Sequence, residues 1–288
     1  METYTLQYAS DLHIDGESPP FHMLIEPVAT ELAILGDIGN PFSQLYKDFL
    51  SWCSKKWAKI YVLAGNHEYF RDDPSTVFSD VEPQIRSVCH EAGPNVIFLQ
   101  NELVFLEKYK IVILGSTLWS VPLLRNWDKL GSLYIGYPGN KGDYRSIYTK
   151  DEFTGKPRLF HPSDITALCL QNIAFLKKTL NSTWGSIPEG WRVIILTHHL
   201  PSFELVEAKY KNDPLVTSYA VALDELIKEP VIAWICGHSH NAKTLRFTSG
   251  TLACLNPLGY KNQVATSGYS RKAVIQVYRE NIAIPRIL

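Results

Sequence analysis

Six of the nine histidines in this 288-residue chain follow an apolar run within a few residues, in short polar or glycine-containing turns. The contexts are Asp11-Leu12-His13, Gly65-Asn66-His67-Glu68, Thr197-His198-His199 and Gly237-His238-Ser239-His240. A fifth apolar run closes on Gly36-Asp37. In open α/β sheets the carboxyl ends of the strands line the ligand crevice. Five such ends would carry Asp11, His13, Asp37, Asn66, His67, His198, His238 and His240 to one rim. Carboxylate, amide and imidazole donors in that mixture suit transition metals such as Mn, Fe, Ni or Zn. The turns themselves hold no thiolate donor, so a structural zinc site is not expected. His198 and His199 are neighbours, and neighbours on an extended chain point to opposite faces. One site cannot use both in the same way.

The elements that must position these residues are legible from their periodicity. Strand-like segments are read at residues 5–10, 32–35, 60–64, 96–99, 103–106, 111–115, 193–197, 231–236, 245–247, 251–255 and 273–278. Most are rich in β-branched and aromatic residues and are bounded by Gly, Asn, Asp or Pro. Helical patterns fall at residues 44–58, 75–92, 164–180 and 220–228, with Pro83 inside the second and Ser163 as the expected N-cap of the third. Strand and helix alternate in the first part of the chain, which predicts a parallel sheet. Residues 103–115 predict a hairpin turning at residues 107–110, and the last fifth is strand-rich. The expected fold class is α/β: two packed sheets with helices outside.

The ordered set of motifs resembles the calcineurin-like metallophosphoesterase superfamily. The matching residues are Asp11-Leu12-His13, Gly36-Asp37, Gly65-Asn66-His67-Glu68, His198-His199 and Gly237-His238-Ser239-His240. The resemblance implies a four-layer α-β-β-α sandwich of two mixed sheets flanked by helices. It also implies two metal ions, Mn, Fe, Zn or Ni. Asp11, His13 and His240 would bind one, Asn66, His198 and His238 the other, and Asp37 would bridge them. His67 would be the catalytic histidine near the phosphate and its leaving group. Two ions about 3.5–4 Å apart can activate a bridging water for in-line attack on a phosphomonoester or phosphodiester. The ligands must be deprotonated, so activity should fall in acid.

One departure stands out. Several members carry an aspartate three residues after the bridging one, and it orients the catalytic histidine. Here Asn40 holds that place, so Asn40, Glu68 or a carboxylate elsewhere is expected to support His67. His199 is expected beside the ligands or at the substrate edge. His22, His90 and His161 are read as structural or solvated. Trp119 reads as core, with a wall of the site as the alternative, and residues 256–260 (Asn-Pro-Leu-Gly-Tyr) as a turn, with a place beside the metal rim as the alternative.

Residues 120–161 hold glycines, prolines, tyrosines and basic residues without a sustained period. A long irregular segment in a compact domain is usually functional or disordered, and its aromatic content argues for function. We read the chain as one domain, 1–288, with a substrate-side insertion there. Arg125, Lys129 and Lys141 are candidates for phosphate oxygens, and Asp143-Tyr144-Arg145 is the best candidate cluster facing the substrate.

Composition narrows the partners. The formal net charge is -1 and no long basic run occurs, so binding of nucleic acid through bulk charge is not indicated. A small phosphorylated molecule or nucleotide is the expected substrate. A nuclease, or a catalytically silent scaffold on the same fold, are the alternatives. The five scattered cysteines include no C-x-x-C pair and read as reduced thiols. The first residues lack a basic or an apolar leader region, and the longest apolar runs are only strand-length. A cytoplasmic location without membrane insertion is the expectation.

Overall fold

The computed structural model describes residues 3–16, 19–121, 142–181, 187–213, 215–278 and 283–287. In chain order its first strands are β1 (Tyr4–Ala9), β2 (Glu31–Leu35), β3 (Lys59–Leu63), β4 (Val96–Phe98), β5 (Glu102–Leu106), β6 (Ile111–Ser116), β7 (Tyr148–Lys150) and β8 (Pro157–Leu159). The later ones are β9 (Arg192–Thr197), β10 (Val231–Cys236), β11 (Lys243–Arg246), β12 (Leu252–Leu255), β13 (Ala273–Val277) and β14 (Ala283–Ile287). Helices are α1 (Phe21–Leu24), α2 (Gln44–Ser54), α3 (Phe78–Ala92), α4 (Asp143–Ser146) and α5 (Pro162–Leu180).

One six-stranded sheet runs β14-β13-β1-β2-β3-β4, the other β11-β12-β10-β9-β6-β5. β1 to β4 pair in parallel, as the strand–helix alternation predicts. So do β6, β9, β10 and β12. Antiparallel β13, β14, β11 and β5 complete the edges, which makes both sheets mixed. The β5–β6 hairpin turns at Lys110, whose φ of 50° lies in the left-handed region.

Successive side chains point to opposite faces, and the central strands are buried on both, because each face of each sheet is covered. Ala33, Leu35, Tyr61 and Leu63 from one sheet meet Ile111, Ile113, Ile194, Leu196 and Ile235 from the other. The opposite face of the first sheet, with Leu32, Ile34, Ile60 and Val62, packs on Phe49, Leu50 and Cys53 of α2 and on Val81, Ile85 and Val88 of α3. Val112, Leu114, Val193, Ile195 and Trp234 on the outer face of the second sheet pack on Leu176 of α5 and on Leu223 and Ile227. The result is the expected order of layers, with helices outside two mixed sheets.

Three local expectations change. Residues 220–228 form no α-helix; a single 3-10 turn at Asp224–Leu226 replaces it. Nine residues nucleate poorly, and Pro230 disfavours helical backbone just before it. Helix α5 starts at Pro162 rather than after Ser163, because proline's fixed φ suits the first helical position. His161 takes the cap position, and the Asp164 carboxylate accepts its N–H at 2.7 Å. Within residues 120–161, α4 and the β7–β8 hairpin give the described part regular structure. Arg125, Lys129 and Lys141 lie outside the described residues. All five cysteines are free and buried. Among the described residues no helix is long and apolar enough to cross a membrane.

The layered packing makes a direct prediction. Leu196 is fully buried between the sheets, whereas Leu170 on α5 is 61 % exposed. Leu196→Ala should lower urea-unfolding stability by about 2–5 kcal/mol. Leu170→Ala should stay within about 0.5 kcal/mol of the parent.

Candidate metal centre

The carboxyl ends of β1, β2, β3, β9 and β10 open onto one rim, and each leaves its sheet through a tight turn. The turn after β1 runs alongside the turn after β2. Asp11 N–H donates to Gly36 O at 3.0 Å, and His13 N–H to Asp37 O at 2.9 Å. Asp11, His13, Asp37, His238 and His240 all have φ between 45° and 67°. Left-handed backbone costs about 1–2 kcal/mol at a non-glycine residue. Such strain collects at functional sites, where the surroundings over-determine it. Two glycines let the turns approach. A Cβ on Gly36 would run into the backbone of Gly65, and one on Gly65 would run into the carboxylate of Asp37.

Two donor groups converge. Asp11, His13, Asp37 and His240 each present a ligand atom to one, and Asp37, His198 and His238 to the other, with the atoms within 4.8 Å of one another. Asp37 belongs to both. Its Oδ2 stands 3.9 Å from His13 Nε2, and its Oδ1 stands 3.5 Å from His198 Nε2. On the first side, His240 Nε2 lies 3.2 Å from Asp11 Oδ1 and 3.1 Å from His13 Nε2. On the second, Asn66 Oδ1 lies 3.2 Å from His198 Nε2.

The rings are oriented from behind. His198 Nδ1 donates to Leu35 O at 2.7 Å, and His240 Nδ1 to Gln263 Oε1 at 2.6 Å. Each Nε2 therefore faces the centre, as a metal-binding histidine requires. Asn66 Nδ2 donates to Asp143 Oδ1 at 2.8 Å, which turns the amide oxygen inward. Asp143, expected beside the ligands or at the substrate, meets Asn66. Tyr144 packs against the first core. Arg145, on α4, is half-buried.

The electrostatics favour positive charge between the carboxylates. Burial opposes ionisation of Asp11, but the His240 hydrogen bond and charge hold its pKa down at about 2. Burial likewise opposes a charged His198, yet the Asp37 carboxylate raises its pKa to about 10. The Asp11 hydrogen bond and charge likewise raise the pKa of His240 against its burial. His13 and His238 behave oppositely. Burial takes His13 down to about 4 and, helped by the charge of His198, His238 to about 3. They present neutral lone pairs, the form that binds metal. The donor set thus fits hard-to-borderline transition metals.

The neighbouring histidines of Thr197-His198-His199 separate. His199 is buried, with Nδ1 at 3.4 Å from Thr117 O. Its ring packs on His238 (centroids 4.1 Å apart) and on Trp119 (5.6 Å). It backs a ligand-type ring and does not reach the substrate edge. Trp119 is core, as expected.

His67 stands at the mouth of the site, with its side chain 20 % exposed. Its N–H donates to Asp37 Oδ1 at 2.9 Å, and its ring lies 4.3 Å from that of Phe70. Neither of the candidates nearest in sequence supports its imidazole. Asn40 Oδ1 accepts the Phe42 N–H at 3.0 Å in a local turn. Glu68 points the other way and is fully buried. Its carboxylate accepts N–H groups from Asp37 (2.9 Å), Ile38 (2.7 Å), Gly39 (3.3 Å) and Gly65 (2.7 Å). The group that does meet His67 is Tyr260, whose hydroxyl lies 3.0 Å from Nε2. It belongs to the turn at residues 256–260, whose local sequence allows a place beside the metal rim but does not point to His67.

Two groups of side chains that could each hold a metal ion share Asp37, where the strand ends of two packed sheets meet. The model of the calcineurin-like phosphoesterase family matches residues 8–242, and the chain belongs to that family. It is a metal-dependent phosphoester hydrolase. The uncharacterized protein L509 of Acanthamoeba polyphaga mimivirus is 32 % identical over 276 residues, covering 90 % of this chain and 92 % of that protein. The phosphopantetheinyl hydrolase of Mycobacterium tuberculosis has a similar fold, with a TM-score of 0.68, 16 % identity and 95 % of each chain covered.

Glu68 makes a testable claim about how the centre is held. Glu68→Gln keeps one acceptor but turns an NH₂ group toward buried N–H donors. Stability should fall by about 1–3 kcal/mol per donor left unpaired. Metal affinity, measured by titration calorimetry with Mn²⁺ or Zn²⁺, should fall roughly 10–100-fold as the turns carrying Asp37 and Asn66 separate.

Proposed function

We propose that the centre hydrolyses a small phosphomonoester or phosphodiester, a nucleotide among them, with two metal ions in place. Asp11, His13 and His240 hold one ion, and Asn66, His198 and His238 hold the other. Asp37 bridges them. The observation that carries this reading is the double engagement of Asp37, whose two oxygens face two separate sets of imidazoles. Two bound ions would supply a water of lowered pKa and charge to neutralise the phosphoryl oxygens during in-line attack.

The chain's own residues do the rest. The Leu35 and Gln263 contacts orient His198 and His240. Asp143 orients Asn66. His67 faces the phosphoryl group and its leaving oxygen, as a donor at the mouth of the site. Beside it opens a cleft of about 390 Å³ lined by Asp15, Asn40, His67, Phe70, Arg71 and Ser75. That room suits a small leaving group. The reading treats the chain as one working domain.

A metal-reconstituted activity panel tests the proposal. Mn, Fe, Co, Ni and Zn would each be offered with p-nitrophenyl phosphate, bis(p-nitrophenyl) phosphate, cyclic nucleotides and short nucleic acids. Turnover of mono- or diesters that exceeds turnover of nucleic acid is the expected result. No hydrolysis under any condition would sink it. His198→Ala should lose one ion per chain together with at least about 100-fold in kcat, by elemental analysis and initial rates. His199→Ala should retain both ions. Loss of the second ion from His199→Ala alone would reverse the assignment of the two histidines.

A further inference from the structure

Tyr260 lies outside all five motifs, yet its phenol oxygen is 3.0 Å from His67 Nε2. Its ring packs on two rings of the first ligand set, with centroids 4.5 Å from both His13 and His240. The turn that carries it is pinned at several points. Leu258 N–H donates to Ser10 O and Gly259 N–H to Asp11 O, each at 3.0 Å. Asn256 Nδ2 donates to Tyr8 O at 2.9 Å and to Ser270 O at 2.8 Å. Tyr260 N–H donates to Gln263 Oε1 at 3.1 Å, the same oxygen that receives His240 Nδ1–H. One loop therefore orients a ligand-type imidazole and places a phenol on the imidazole at the mouth of the site.

Tyr260 meets Nε2 through its hydroxyl. A hydroxyl is both donor and acceptor. It can donate to a neutral Nε2 and accept from a protonated one, so it holds the ring through either state. Asn40, which stands where several family members carry an aspartate, is engaged with Phe42, and the Asp37 Oδ2 stands farther from His67 Nε2 than the phenol does, at 3.9 Å.

We propose that Tyr260 is the positioning residue for His67, holding the Nε2 edge of the imidazole at the mouth of the centre through its hydroxyl. This rests on the reading of His67 as the group that acts on the phosphoryl ester. The ring contacts to His13 and His240 are kept in Tyr260→Phe, so that variant removes the hydroxyl alone.

In the metal-free protein, ¹⁵N NMR of the histidine rings should show the Nε2 resonance of His67 shifted in Tyr260→Phe, with that of His198 unmoved. In the Mn²⁺-loaded enzyme acting on p-nitrophenyl phosphate or its bis ester, Tyr260→Phe should lower kcat roughly 10–100-fold. KM should stay within about threefold and bound metal should be unchanged, so that the loss lies in the step after binding. Added to His67→Ala, the substitution should cost nothing further, because two residues that act as one unit are not additive. An unshifted Nε2 resonance, or a kcat within twofold of the parent while His67→Ala is inactive, overturns this proposal and leaves the role of His67 standing. So does an equal loss in the parent and His67→Ala backgrounds. Full activity in His67→Ala overturns both.

Discussion

One buried carboxylate ties the centre together. Glu68 collects four backbone N–H groups, three from the turn after β2 and one from the turn after β3. Those turns carry Asp37 and Asn66, and they touch so closely that glycine is needed at residues 36 and 65. Burial and the nearby Asp37 charge push the pKa of Glu68 up to about 7, so the group sits uneasily as an anion. The charge of His198 and then the amide dipoles that converge on Glu68 act in the other direction, and a carboxylate with such donors is strongly directional. Without Glu68, four amide hydrogens would be buried without partners, and the spacing of the two turns would have no fixed value.

From that clamp the rest follows by contact. Asp37 is held by its own backbone, so its carboxylate can face His13 on one side and His198 on the other. The left-handed backbone of Asp11, His13, Asp37, His238 and His240 is the local cost of aiming short side chains inward from strand ends. Ordinary extended backbone would carry these side chains along the sheet surface. The inter-sheet core supplies the stability that tolerates this strain. The second sheet delivers His198 and His238 on adjacent parallel strands, and the first delivers Asp11, Asp37 and Asn66 on three adjacent parallel strands. The centre is thus a joint between the two sheets.

Much of this was legible beforehand. The strand runs are strongly β-branched and apolar, so their existence, and the parallel order of β1 to β4, could be read from alternation with helices. The five turn motifs could be read because their donors lie beside strand ends. What escaped is long-range. Tyr260 is 193 residues from His67, so although residues 256–260 could be placed beside the metal rim as an alternative to a plain turn, the contact with His67 could not be read. Asp143 is 77 residues from Asn66, and its place in an irregular segment did not announce the hydrogen bond it accepts from that amide. Asn40 misled for the opposite reason. Its spacing from Asp37 matched a family position, but asparagine satisfies its own turn through Phe42 before it can reach an imidazole.

His198 and His199 show where residue type ceases to inform. Both follow the same strand, both are fully buried, and both lie within ring contact of His238. The pleat sends one toward the first sheet, where a Leu35 carbonyl and the Asp37 carboxylate are waiting. It sends the other toward Trp119 and Thr117 O. The Asp37 charge then raises the pKa of His198, while burial and the charges of His238 and His198 drive that of His199 well below the ordinary value. Two chemically identical side chains acquire opposite affinities for positive charge within one peptide unit. The cause is proximity: Asp37 Oδ1, 3.5 Å from His198 Nε2, outweighs burial there, whereas at His199 burial and the neighbouring imidazoles outweigh it.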